Sequence, residues 1–232
     1  MTLKNVMRPD TTPISESVPF CMLLAIVGGF LDAYTFVGRG GVFCNAQTGN
    51  IVLLGVYAAT GQWQSALNHI PPILAFVIGV FLAEAIKRNQ LPVRYLDWKR
   101  MILMIETIVL FLIGFIPSSA PNVIVTATVS LVASIQVSSF RKLVDSQFNT
   151  TMSTGNLRSA SQALFLAITQ KDTDAAIRSI RYFLVILSFL SGALTGGIIT
   201  SHIGIKAVWC TIVLLIAAVV LVEMQEHKEY GV

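Results

Sequence analysis

Long, nearly uninterrupted runs of apolar residues are the main pattern along the chain. Each run is close to the length that a helix needs to cross the roughly 30 Å hydrocarbon core of a bilayer, because a helix rises about 1.5 Å per residue. We therefore predict an all-α integral membrane protein with six transmembrane helices. The runs cover residues 19–38, 70–86, 101–117, 122–140, 182–200 and 204–222.

The composition agrees with this class. Hydrophobic residues make up 54% of the 232 residues and charged residues only 12%, whereas soluble domains carry about 25% charged residues. The net charge of +4 comes from basic residues whose positions are explained by membrane orientation. We therefore expect no nucleic acid partner. Cys21, Cys44 and Cys210 are scattered and odd in number, which favours packing roles over a disulfide or a metal site. We expect no metal and no cofactor.

The basic residues predict the orientation, because Lys and Arg collect in cytoplasmic loops. With six crossings and a cytoplasmic N-terminus, only Arg39 and Lys206 of the 16 basic residues lie outside. Eight crossings would move 87–100 and 141–142 outside and remove this bias. We therefore expect both termini to be cytoplasmic. The cytoplasmic basic residues are Lys4, Arg8, Lys87, Arg88, Arg94, Lys99, Arg100, Arg141, Lys142, Arg158, Lys171, Arg178, Arg181 and Lys228.

A Thr-Gly-Asn motif occurs twice, as Thr48-Gly49-Asn50 and as Thr154-Gly155-Asn156. Residues 48–60 are too few to span a bilayer, and residues 152–169 carry several polar side chains. We expect two half-helices or re-entrant segments with Thr48 and Thr154 at or near the N-cap. Their N-terminal ends are expected to meet near the midplane. The alternative is that one or both lie flat in the membrane interface.

The order of elements around the two motifs indicates a duplication. The predicted repeats are residues 19–117 and 118–223, flanked by tails 1–18 and 224–232. Each repeat has three crossings, an odd number, so the two would lie in opposite orientation, as in many transporters. Both repeats also carry a spacing of small residues that permits close helix contact. These small residues are Gly79 and Ala83 in the first repeat, and Gly192 and Gly196 in the second.

Three segments resemble a known family. They are GGFLDAYTF, FCNAQTGNIVLLG and FNTTMSTGNLRS, and they are similar to the YoaK-type family of uncharacterised bacterial inner-membrane proteins. The resemblance covers nearly the whole chain. It implies a multi-pass protein of the bacterial cytoplasmic (inner) membrane, and it supplies no substrate and no catalytic residues.

Ionisable residues inside apolar runs are the candidate functional groups, because a charge in the bilayer needs a cavity or a partner. Asp32 is the main candidate, either as a cation- or proton-coupling carboxylate or as a structural ion pair. Glu84 is expected to form a surface ion pair near Lys87, and Glu106 to reach the interface or to serve function. Arg158 is a candidate to pair with Asp32, to bind an anion or to remain a rim charge.

Asn50 and Asn156 are candidates to line a polar site, and Gly49 and Gly155 to allow close backbone approach. The alternative is that both amides only bridge or cap helices. His69 is expected at the start of a helix on the external face. The predicted substrate or ion site consists of Asp32, Thr48, Gly49, Asn50, Thr154, Gly155, Asn156 and Arg158.

The sequence carries no signature of a hydrolase, a metalloprotease, a nucleotide-binding loop or a dinucleotide-binding fold, so we do not expect an enzyme. The inverted repeat favours a transporter or channel for a small solute. The alternative is a structural or interaction protein of the inner membrane. The expected partners are the lipid bilayer, a small-molecule substrate and further copies of the chain in a homo-oligomer.

Overall fold

The chain forms a bundle of helices in a computed structural model that describes residues 6–7, 12–89, 98–144, 146–148 and 153–230. A short hairpin, β1 (Lys142–Leu143) and β2 (Ser146–Gln147), follows the sixth helix. Short 3-10 helices cover Ile14–Glu16 and Gly204–Val208. The α-helices are α1 (Val18–Gly38), α2 (Gln47–Ala59), α3 (Trp63–Leu67), α4 (Ile70–Asn89), α5 (Trp98–Ile113), α6 (Asn122–Ser139), α7 (Ser153–Gln170), α8 (Thr173–Ile203) and α9 (Trp209–Tyr230).

Local signals set the ends of the long helices. Helix α1 has a proline in its first turn, where the missing amide hydrogen costs no helical bond. It ends just before Gly40 and Gly41, which have φ values of 91° and 76° that favour glycine. Asp172 caps α8 by accepting hydrogen bonds from the amides of Ala175 and Asp174. These bonds hold the pKa of Asp172 below its usual range.

The predicted runs correspond to helices, with three differences at the ends. Helix α5 ends at Ile113, although the predicted run continues to residue 117. Helix α8 begins at Thr173 rather than near residue 182, because the Asp172 cap extends it through a polar segment. The last run begins with the 3-10 helix 204–208, and α9 continues to Tyr230. Of the predicted cytoplasmic basic residues, Lys4, Arg8 and Arg94 lie outside the described residues, as do residues 149–152 of the second motif segment.

The helices pair across the two predicted repeats. Helix α1, the first of the first repeat, packs along α8, and α6, the first of the second repeat, packs along α4. Each Thr-Gly-Asn helix lies against the long helix that follows it, α2 against α4 and α7 against α8. Helices α5 and α9 contact each other, and they also pack against α6 and α1 respectively. Each of these contacts therefore has a counterpart in the other repeat.

Small residues allow the two long helix pairs to approach closely. A Cβ atom on Gly192 would overlap the carbonyl oxygen of Ile26, and one on Gly196 would lie 2.7 Å from the carbonyl oxygen of Phe30. In the other pair, a Cβ atom on Gly79 would overlap the Ser134 side chain of α6. Ala83 is fully buried on the same helix. Gly79, Gly192 and Gly196 therefore lie at close contacts between helices.

The outer surface is largely apolar. Large hydrophobic side chains are exposed on α4, α8 and α9, among them Phe81 (71%), Leu194 (62%) and Val213 (70%). A soluble monomer rarely exposes apolar patches of this extent, so these faces suit a lipid environment. The interior contains a continuous apolar core formed mainly by α1, α5, α6 and α9.

Four segments of the described chain are long and apolar enough to cross a membrane: Val18–Gly38, Trp63–Arg88, Asn122–Ser139 and Thr173–Met224. The last contains 52 residues and comprises α8, the second 3-10 helix and most of α9. Helix α5 has 16 residues, about 24 Å of helix, and falls short of the hydrocarbon thickness. The number of crossings therefore stays a prediction.

Candidate functional site

The Asp32 carboxylate lies at the start of the first Thr-Gly-Asn helix. It belongs to α1 and is only 4% exposed. Its Oδ1 accepts hydrogen bonds from the Asn45 amide at 2.7 Å and the Ala46 amide at 3.3 Å. Ala46 is the N-cap of α2 and Asn45 directly precedes it, so the carboxylate lies at the N-terminal end of that helix, which attracts negative charge. Asp32 thus anchors the first Thr-Gly-Asn helix to α1.

The Cys44 thiol completes the contacts of Asp32 Oδ1. Its Sγ donates to the carboxylate at 3.4 Å. Burial, and secondarily the nearby Asp32 charge, raises the pKa of the Cys44 thiol well above its usual range. The thiol therefore stays protonated and acts as a donor, not as a nucleophile or a metal ligand.

Asn45 connects the same loop to an earlier turn of α1. Its Nδ2 donates to the carbonyl oxygen of Gly28 at 3.2 Å and to Cys44 Sγ at 3.3 Å. Gly28 and Asp32 are one helical turn apart, so Asn45 spans the α1 face that carries the carboxylate. The side chain of Asn45 is 1% exposed.

The second wall of this site comes from α6. Ser130 donates its hydroxyl hydrogen to the carbonyl oxygen of Cys44 at 2.8 Å, and its side chain is fully buried. The start of α2 therefore lies between α1 and α6, which are the first helices of the two predicted repeats. The polar groups around Asp32 consequently lie at the junction between the two halves of the chain.

Asn50 holds the loop before α2 in place. Its Nδ2 donates to the Phe43 carbonyl at 2.7 Å and to Gln47 Oε1 at 2.9 Å. Its Oδ1 accepts from the Phe43 amide at 3.0 Å and lies 3.2 Å from His69 Nδ1. All of its hydrogen-bonding capacity is thus used within the protein. The His69 ring stacks on Tyr57 with centroids 5.7 Å apart.

Thr48 and Gly49, the other two residues of the first motif, do not share the buried hydrogen-bonded position of Asn50. Thr48 is exposed at the second residue of α2. The N-cap is Ala46, without a side-chain capping bond, so the expected capping role of Thr48 is wrong and Asp32 supplies the acceptor instead. A Cβ atom on Gly49 would lie 2.8 Å from the Phe43 ring. Gly49 therefore permits a close approach, but it is the Phe43 side chain that approaches and not another backbone.

The second motif lies on α7. Asn156 is 4% exposed, whereas Thr154, Gly155 and Arg158 are exposed. A Cβ atom on Gly155 would meet nothing within 4 Å, so this glycine is not required by packing there. Arg158 is exposed while Asp32 is buried and bonded to Cys44, Asn45 and Ala46, so the predicted pairing of Arg158 with Asp32 is not formed. The convergence of the two motif helices stays a prediction.

The two glutamates within apolar runs, Glu84 and Glu106, differ in exposure and in their hydrogen-bond partners. Glu84 accepts from Lys87 Nζ at 2.8 Å, which confirms the predicted surface ion pair. Glu106 does not reach the interface, since it is 1% exposed. Its Oε2 accepts from Gln136 Nε2 at 2.7 Å, which joins α5 to α6. The helix packing of α5 buries it, although it lies only two turns from the helix start.

Arg39 is the largest fully buried polar side chain of the described residues. Its Nε donates to Tyr34 Oη at 3.2 Å, and its two terminal nitrogens donate to the carbonyls of Pro117 (3.3 Å) and Ile116 (2.8 Å). The guanidinium therefore joins the end of α1 to the chain that follows α5. It borders a cavity of about 220 Å³.

Residues 20–221 match the family described as "Protein of unknown function (DUF1275)". The chain belongs to the DUF1275 family. It is also similar to the UPF0700 transmembrane protein YoaK of Bacillus subtilis (strain 168), with 25% identity over 217 residues that cover 89% of this chain and 94% of YoaK. No solved structure matches the chain. The family resemblance predicted from the motif segments is confirmed, and this DUF1275 chain is a membrane protein.

Sequence reasoning singled out Asp32 in this DUF1275 chain but not the groups that surround it. Asn45, Cys44 and Ser130 acquire their roles only through contacts across α1, α2 and α6. The one available signal was the position of Asn45, three residues before the first motif threonine. For Arg39 the sequence predicted only a position on the external side of the membrane. It did not predict burial, because a basic residue at a helix end is usually exposed.

Proposed function

We propose that this protein is a transporter or channel for a small solute in the bacterial inner membrane, with its polar site at the junction of two inverted repeats. The observation that carries the proposal is the position of Asp32 and the α2 N-terminus between α1 and α6. Ionisable residues inside membrane segments are rare and mark ion or substrate pathways, which makes Asp32 a candidate functional group. A helix end that stops inside the bundle is a frequent component of transporter sites.

The paired contacts of the helices support the repeat. Helix α1 packs on α8 as α6 packs on α4, and both pairs use glycines at the closest approach. Helices α5 and α9 occupy matching positions beside α6 and α1. Six crossings, three in each repeat, would place the repeats in opposite orientation. This arrangement also agrees with the distribution of basic residues.

The alternative function, a structural or interaction protein, is favoured by Asn50. All four of its hydrogen bonds go to protein groups, as expected for an amide that only fixes a fold. Asp32 differs, because one of its oxygens has no partner among the described residues. We therefore assign the functional role to the Asp32 end of α2 and a positioning role to Asn50.

Six crossings predict that Gln64 and Lys171 lie on opposite sides of the membrane. Both positions are exposed. In a chain with Cys21, Cys44 and Cys210 replaced by alanine, a single cysteine at position 64 should react with an impermeant maleimide in intact cells. A cysteine at position 171 should react only after the membrane is opened. Labelling of both positions from the same side would rule out the proposed topology.

Transport itself is tested with Asp32→Asn, which keeps the shape of the side chain and one accepting oxygen. Cells that lack the gene are complemented with wild type, Asp32→Asn or an empty vector, and uptake and efflux of a panel of small solutes are measured. We expect wild type to change the flux of at least one solute, and Asp32→Asn to reduce this change at least tenfold with equal protein in the membrane. Asp174→Asn, the same change at an exposed position, is the matched control and should behave as wild type.

Equal fluxes with wild type and with the empty vector across the panel would favour the structural alternative. A wild-type flux that Asp32→Asn fully retains would contradict the assigned site while leaving transport in place.

A further inference from the structure

Two buried oxygens beside the start of α2 lack hydrogen-bond donors. Asp32 Oδ2 and Asn45 Oδ1 have no hydrogen-bond partner within the part of the chain that the structure describes. Their residues are 4% and 1% exposed. They belong to one bonded unit, because the Asn45 amide donates to the other oxygen of Asp32 at 2.7 Å. Buried acceptors of this kind normally have a partner, so the pair requires an explanation.

The charge of Asp32 is also only partly balanced. The donors that reach it among the described residues include the amides of Asn45 and Ala46 and the thiol of Cys44, and all of these groups are neutral. The N-terminus of a helix contributes roughly half a positive charge. Arg39, the nearest basic residue along the chain, donates instead to Tyr34 and to two carbonyls. A buried carboxylate is normally paired with a cation or coordinates an ion.

We propose that Asp32 Oδ2 and Asn45 Oδ1 are ligands of a monovalent alkali cation, with Na⁺ as the representative ion. Carboxylate and amide oxygens are the donors that hard cations prefer. One carboxylate balances one positive charge, which selects a monovalent ion. The described residues contain no group of three or more His, Cys, Asp or Glu able to hold a metal, so the nitrogen and sulfur ligands typical of transition-metal sites do not accompany Asp32.

This inference rests on the proposed function in one respect: it names the ion class used by the same site. A cation between α1 and Asn45 would fix the start of α2 against α1. Ion occupancy would then change how firmly the first Thr-Gly-Asn helix is held at the junction of the two halves. Binding is measurable without knowing any transported solute.

Glu106 provides the matched comparison. It is another buried carboxylate, 1% exposed, with one oxygen lacking a partner among the described residues. Its other oxygen accepts from a side-chain amide nitrogen, and no unpartnered amide oxygen of the described residues accompanies it. A general effect of salt on buried carboxylates would involve both residues, whereas the proposed site involves Asp32 alone.

The test is thermal unfolding of the purified full-length chain in detergent at pH 7. NaCl is exchanged for choline chloride at constant ionic strength, so screening does not change. A ligand that binds only the folded state raises the melting temperature in proportion to RT ln(1 + [L]/Kd). We expect a rise of roughly 5–11 °C for wild type between zero Na⁺ and a concentration about 100-fold above Kd. KCl run in parallel reports the selectivity among alkali cations.

The variants assign the effect to the two oxygens. Asp32→Asn and, separately, Asn45→Ser should lose most of the Na⁺-dependent rise, whereas Glu106→Gln should keep it. Asn45→Ser carries the test if Asp32→Asn does not fold. Identical melting of wild type in sodium and choline would overturn the proposal, as would an undiminished Na⁺ effect in Asp32→Asn or Asn45→Ser. Melting that responds to pH but not to Na⁺ would assign a proton to Asp32 and overturn it too.

The experiments distinguish a failure of the proposed ion site from a failure of the proposed transport function. A Na⁺-dependent rise that requires Asp32, in a protein that moves no solute of the panel, would retain the ion site and reject transport. Solute flux in a protein that melts identically in sodium and choline would retain transport and reject the ion site.

Discussion

Gly192→Ala should destabilise the protein by about 2–3 kcal/mol, and Gly192→Leu should prevent α1 and α8 from packing. A Cβ atom on Gly192 would overlap the backbone carbonyl of Ile26, and backbone inside a helix cannot move aside as a flexible side chain does. Overpacking that forces side chains and backbone to shift typically costs about 1–3 kcal/mol, and this site lies in the upper part of that range because the obstacle is backbone. The measurement is thermal unfolding in detergent, together with the yield of monodisperse protein.

Gly197→Ala is the control for this experiment, because Gly197 lies on the same helix and a Cβ atom there meets nothing within 4 Å. Alanine is favoured over glycine in helices by up to about 1 kcal/mol, so this variant should melt at or slightly above the wild-type temperature. Equal melting of the Gly192→Ala and Gly197→Ala variants would contradict the close α1–α8 contact.

Arg39→Ala should lower the free energy of unfolding by about 3 kcal/mol. Arg39 is fully buried, and its removal breaks bonds to Tyr34, Ile116 and Pro117. Hydrogen bonds of a charged group contribute about 1.5–3 kcal/mol each, and unpartnered carbonyls add a penalty. For a chain of this length the melting temperature should fall by roughly 6–12 °C.

Two further substitutions make the interpretation specific. Arg39→Lys keeps the charge but not the planar fork that reaches three acceptors at once, so its melting temperature should fall between those of wild type and Arg39→Ala. Arg158→Ala removes an exposed arginine and should change stability by no more than about 0.5 kcal/mol. If Arg39→Ala melts like Arg158→Ala, the joint between α1 and the chain after α5 contributes little.

The helices were predictable from the sequence because long apolar runs leave few alternatives. The ends of the helices were harder to predict. Helix α8, for example, begins with a polar segment because the side chain of Asp172 caps it at Thr173. Asp32 was identifiable because a carboxylate inside an apolar run is rare. The hydrogen bonds of Asp32 were not predictable. Its carboxylate accepts from the amide of Asn45, 13 residues further along the chain, and this contact depends on tertiary structure.

The same limit explains the error about Thr48. The motif contains a threonine where a helix cap is expected, and local rules predict a local acceptor. The acceptor comes instead from the neighbouring helix, so the hydroxyl is free to face outward. Likewise Glu106 lies near a helix start and looks able to reach the interface, but α6 covers it and supplies the amide of Gln136.

The pairing of α1 with α8 has a consequence for biosynthesis. The ribosome completes α1 long before α8 exists, so the groove around Gly29, which receives the backbone of Phe189 and Ala193, stays open while most of the chain is made. Contacts between distant parts of a sequence form late and leave surfaces exposed in the meantime. Insertion must therefore proceed while α1 still lacks α8, the helix with which it makes its longest contact. A ribosome that stops before α8 would release a chain whose first helix lacks the partner that fills the groove around Gly29.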